Sequence, residues 1–219
     1  MGRLAQTLGL IQLLPMLIAC ADIGSVPAGN FGWWCSTGQT GTLPSSLAVL
    51  VAEHLNRCIP VALGFECPLF VPLPDDETKL GKSRPGEGSR PWSAGAGSGV
   101  LATGLVQVAW VLKAVLDELD VPADAFLNWQ DFSNSGKGLY IWEAFVSGSG
   151  KSTSHVGDAQ RAGEAFVHAL PNPLAVNAIN CITPVYSLVG AALLRTGWSK
   201  NVHLLAQESL VIAAAKNAA

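Results

Sequence analysis

The chain has 219 residues, of which 49% are hydrophobic and only 13% charged, with 23 glycines, 13 prolines and a formal net charge of −3. Such a composition excludes a disordered chain, a coiled coil and a collagen, and leaves a compact, loop-rich globule with enough length for one sizeable core. A small negative net charge offers nucleic acid no global attraction, so a phosphate-binding surface has to be local.

Residues 1–15 read as a leader or extension, and 16–219 as a single α/β domain. Met16 to Ile23 and Phe31 to Ser36 are apolar runs separated by Pro27 and Gly29, two strands joined by a turn. Pro44, Leu47, Leu50, Val51, Leu55 and Cys58 recur at helical spacing, and that helix stops near Ile59-Pro60. Val61 to Phe70 suits a buried strand. Asp75 to Gly99 collects glycine, proline, serine and charges of both signs, and reads as a long functional loop. From Val100 a helical face runs through Leu119 and ends at Pro122. Leu139 to Val146 is strand-like, Asp158 to Leu170 and Tyr186 to Arg195 helix-like, and Leu210 to Ala215 a terminal strand or helix. Alternating strands and helices in this order predict a mixed central sheet flanked by helices, with chemistry at the carboxyl ends of the strands.

Cys20, Cys35, Cys58, Cys67 and Cys181 are widely spaced in apolar text, without the short paired spacings of a zinc site. Reduced thiols and a cytoplasmic location follow as expectations. Leu4 to Ala21 is uncharged and Leu17-Ile18-Ala19-Cys20 resembles a bacterial lipobox, so a lipid-anchored envelope protein processed at Cys20 is the alternative. Against it, cleavage there would remove most of the first strand. Val100 to Leu112 falls short of the ~20 residues that span a bilayer, so no stable membrane insertion is expected.

In a chain so poor in charge, an acid inside an apolar strand is informative, because an unpartnered buried carboxylate is costly. Asp22 ends ACADIGS, Glu66 interrupts LGFECPLF and Glu143 interrupts YIWEAFV, each near the end of its predicted strand. Asp158 follows at the start of a helix, three residues after His155. If the strands are neighbours these acids converge, and a divalent cation is the natural way to neutralise them. Each acid taken alone also suits a solvated strand end, or a pair with Arg84, Arg90 or Lys151.

The segments ADIGS, GFECPLFVP and HVGDAQRAGEAF, in that order, resemble the RNase H-like superfamily, in particular RuvC-type resolvases and related predicted nucleases. The resemblance covers roughly Leu17 to Leu170 and implies a three-layer RNase H-like domain with a mixed central sheet. It further implies two Mg2+ or Mn2+ ions held by Asp22, Glu66 and Asp158, with Glu143 or His155 at the rim, and hydrolysis of DNA or RNA phosphodiesters. Glu143 departs from the resolvase pattern and matches the extra acid of the predicted nucleases. Arg84, Arg90 and Lys151 are the candidate substrate contacts, with Trp92 as a stacking surface. A relative that keeps this fold for binding or structure without catalysis is the alternative of a different class.

Phe145 to Thr153 (FVSGSGKST) lies close to a nucleotide-binding P-loop, with Phe145 in place of its first glycine. That substitution, and the lack of a later strand ending in a metal-binding aspartate, favour a Gly/Ser-rich connection.

Overall fold

The computed structural model describes residues 16–88 and 91–214. Among them the first three strands form an antiparallel meander: β1 (Leu17–Asp22), β2 (Gly32–Cys35) and the two-residue β3 (Thr40–Gly41). Helix α1 (Pro44–Asn56), started by its proline, crosses over so that β4 (Val61–Glu66) lies parallel to β1. Further along come β5 (Phe70–Pro72), α2 (Gly95–Asp117), β6 (Ala125–Phe126), α3 (Trp129–Ser135), β7 (Leu139–Phe145), α4 (His155–Ala169), β8 (Val185–Ser187), α5 (Leu188–Thr196) and β9 (Val211–Ala213). The main sheet has the order β3-β2-β1-β4-β7-β6, and β9 also pairs with β7. All of the β4, β6, β7 and β9 pairings are parallel, so the sheet is mixed, as composition and periodicity predict.

Alternation along the strands sorts the core into two layers. Leu17, Ala19 and Ala21 of β1, with Leu63 and Phe65 of β4, face the helices α1, α2 and α5. Ile18 and Cys20, with Ala62, Tyr140 and Trp142, face α3 and α4. On that side Trp142 meets the Phe166 ring at 4.7 Å and Trp129 meets Tyr140 at 5.2 Å, a tilted aromatic layer that anchors α4. Cys20 is fully buried within β1, and all five cysteines are free thiols.

Several boundaries differ from expectation. The run Val61 to Phe70 divides: Pro68 cannot donate to the ladder, and the chain turns after Glu66 to enter β5, which pairs with β8 in a separate two-stranded sheet. Helix α2 starts at Gly95, inside the segment read as loop. Gly97 makes this start feasible, since a Cβ there would stand 2.2 Å from the carbonyl oxygen of Pro91. At 23 residues α2 is long and apolar enough by length and composition to span a membrane, although Val108, Val111, Leu112 and Val115 are built into the core. Val185–Ser187 is a strand rather than the opening of the helix at Tyr186, and the terminal run resolves as strand β9. Helix α3 was not anticipated, yet the Asn128 side chain caps its start and Gly136 closes it in a left-handed conformation.

Candidate metal centre

Asp22 and Glu66 are register partners at the carboxyl ends of adjacent parallel strands, so their side chains leave the same face of the sheet. That face is covered by α4, whose first turn carries Asp158. Oxygens of the three carboxylates lie within 4.8 Å of one another. Asp22 and Asp158 are buried, and the Glu66 side chain is 12% exposed.

Local sequence explains how α4 comes to deliver Asp158. Ser154 accepts a hydrogen bond from the Gly157 N–H at 3.1 Å and so fixes where the helix begins. Gly32 faces Asp22 across the β1–β2 ladder. A Cβ on Gly32 would stand 2.4 Å from the Val156 nitrogen and 2.9 Å from the His155 Cβ, so only glycine admits the helix this close. His155 then reaches Asp22, with Nδ1 2.5 Å from Oδ2.

The chain between β7 and α4 closes the cluster from above. Lys151 Nζ lies 3.5 Å from Glu66 Oε1 and 3.3 Å from Asp158 Oδ2, and the Ser152 N–H donates to Asp158 Oδ1. Arg161, near the middle of α4, donates to the carbonyl oxygens of Gly150 and Lys151 at 2.9 and 3.1 Å. A nucleotide-binding loop needs its lysine and serine in the first helical turn with backbone N–H groups free for phosphate. Here both residues precede the helix and serve the acids.

Burial, together with the adjoining Asp22 carboxyl, pushes Glu66 up to about 9. Asp22 rises to about 6, again chiefly through burial, which its hydrogen bond with Glu66 and the field of Lys151 partly offset. Between these values the two carboxyls hold one proton. Burial opposes the charge on Lys151, but the fields of Glu66, Asp22 and Asp158 outweigh it and raise its pKa.

Glu143 does not join this cluster. It pairs in register with Phe65 rather than Glu66, which turns its side chain to the opposite face of the sheet. There it accepts from Arg84 Nη2 at 2.6 Å, from Arg84 Nη1 at 2.9 Å and from the Leu69 N–H at 2.9 Å. Arg84 is 2% exposed, also bonds Glu87 and the Phe70 carbonyl oxygen, and covers the Phe70 ring. The expectation of Arg84 as a substrate contact is therefore corrected: its donors are spent on a buried ion network, the pairing with Arg84 that the sequence also allows for Glu143. Arg90 lies outside the described residues. Lys151, partly exposed at the cleft, directs its ammonium at Glu66 and Asp158.

A cleft opens over both carboxylate groups, walled by Ile23, Pro68, Trp92, Gly97, Val100 and Val146, with Lys151 and His155 at its rim. Trp92 is pinned by Nε1–H donation to the Lys82 carbonyl oxygen at 2.9 Å. Sequence reasoning missed Gly32, Glu87 and Arg161. The only advance signal for them is spacing, with Glu87 and Arg161 each three residues from a residue already singled out. No protein family, curated protein or solved structure matches the chain.

Proposed function

We propose that this chain is a divalent-metal-dependent phosphodiesterase of RNase H-like type, acting on nucleic acid in the cytoplasm. The observation that carries the reading is the meeting of Asp22, Glu66 and Asp158, from two adjacent strand ends and one helix, within 4.8 Å. An antiparallel β1–β3 meander, a crossover helix, β4 parallel beside β1 and β7 parallel beside β4 support this reading. Free thiols throughout suit a reducing compartment. A product beginning at Cys20 would lack Leu17, Ile18 and Ala19 of the central strand, which weighs against lipid anchoring.

The donor set is all oxygen, which suits Mg2+ or Mn2+. Such an ion supplies a polarised phosphoryl oxygen and an acidified water. Asp22, Glu66 and Asp158 would hold it, the first two placed side by side by the strand register. Asp22 orients the His155 ring, whose Nε2 at the rim is placed to pass a proton between the cleft and solvent. The apolar wall from Pro68 to Trp92 keeps water off one side of the bound phosphodiester.

Calorimetric titration of Mn2+ into the wild type and into Asp22→Asn tests this reading, since it does not depend on guessing the substrate. Binding in the wild type and at least a tenfold weaker affinity in the variant is the expected result. Wild-type protein that takes up no Mn2+ overturns it. In that event the non-catalytic relative is favoured, because Lys151 already balances part of the acidic charge.

A further inference from the structure

We infer that Lys151 is a resident cation of the carboxylate centre, standing where a second metal ion would otherwise be required, so that the centre takes one divalent ion rather than two. This rests on the metal-centre reading above and replaces the two-ion expectation.

The first argument counts donors. Asp158 gives Oδ1 to the Ser152 N–H and Oδ2 to Lys151. Glu66 gives Oε1 to Lys151, and Asp22 gives Oδ2 to His155. Fully open to an ion are the second oxygen of Asp22 and Glu66 Oε2, which is buried without a hydrogen-bond partner, while Asp158 can add only an oxygen it shares with Lys151 or the Ser152 N–H. Two open oxygens and one shared oxygen suffice for one ion, with waters and substrate phosphate supplying the rest. A pair of ions ~4 Å apart needs a bridging carboxylate and separate ligands on each side.

The second argument is charge. Once an entering ion displaces the proton that Asp22 and Glu66 share, three ionised carboxylates and one ammonium leave a net charge of minus two, the complement of one divalent cation. A second ion would leave the site strongly positive and would sit against the ammonium.

The third argument is that Lys151 is built in. Its own carbonyl oxygen and that of Gly150 are held by Arg161, and the next residue is tied to Asp158 through its N–H. An ammonium held by its backbone on both sides is not a loose loop charge that yields to an incoming ion. The Gly/Ser-rich run from Ser147 to Ser152 thereby acquires a purpose: it folds back so that a lysine reaches acids on two different elements.

The test is the number of Mn2+ ions per chain at saturation, read by titration and by electron paramagnetic resonance, in the full-length wild type, Lys151→Met and Lys151→Arg. The Lys151 side chain is 34% exposed, so its replacement spares the core. One ion in the wild type and in Lys151→Arg, and two spin-coupled ions in Lys151→Met, is the expected pattern. Two ions in the wild type, or one ion in all three proteins, overturns the role of Lys151 and leaves the metal centre standing. No ion in any of them overturns the metal centre itself and this inference with it.

Discussion

Residue 143 stands opposite Phe65 in the ladder, one place short of Glu66, and that offset decides its chemistry. A carboxylate on the α4 face would have joined Asp22, Glu66 and Asp158; on the other face it meets a guanidinium. Breaking such a buried pair by removing one partner leaves an uncompensated charge and costs about 3–5 kcal/mol. Arg84→Met is accordingly expected to lower the unfolding free energy by about that amount, measured by urea denaturation, with Glu143→Gln recovering part of it in the double variant. The acids themselves were legible in the sequence because charge is so scarce in their strands. Which of them converge was not, since side-chain face depends on register, and register is set by pairings between residues dozens of positions apart.

At the scale of elements, the centre depends on how closely α4 approaches β2. Gly32→Ala would drive a methyl group into the backbone of His155 and Val156. The expected effect is about 1–3 kcal/mol of destabilisation, as for overpacking in a core, together with weaker Mn2+ binding, because the helix that carries Asp158 must move. Thermal unfolding and the same titration measure both. Strands β1, β4 and β7 and helices α1 and α4 are plain in the sequence from apolar runs, Pro44 and helical spacing. The start of α2 is hidden because its first turn, Gly95 to Ser98, lacks a side-chain cap and carries two glycines, the second of which is needed for the close approach to Pro91. Helix α3 carries readable caps in Asn128 and Gly136, and its brevity obscures the periodicity between them.

For the molecule as a whole, two groups of acids on opposite faces of one sheet share one cleft, and the Asp22–Glu66 pair makes stability depend on pH. Asp22 and Glu66 have pKa values raised above those of the unfolded chain, so the folded state binds the extra proton. Their contribution to stability is complete below about pH 4, near the unfolded carboxylate values, and is lost as pH rises through about 6 and then about 9. In chelating buffer the melting temperature should therefore fall between pH 6 and 9, and Mn2+ should restore it most at the alkaline end. A melting temperature that is flat across this range in Glu66→Gln would assign the effect to the pair.

The outer edge of β7 is shared between two short strands, β6 beside its first residues and β9 beside its last. Glu143 donates its N–H to the Leu210 carbonyl oxygen, and the Ala214 N–H reaches back to Phe145. During synthesis the chain emerges from its amino end, so β1, β4 and β7 can assemble long before residues 211–213 leave the ribosome. Until then the half of β7 that carries Glu143 presents unsatisfied backbone groups along an open edge, available to any other nascent strand. Strand β9 thus acts as a late seal: the sheet loses its adhesive margin only once residues 211–213 have docked on β7.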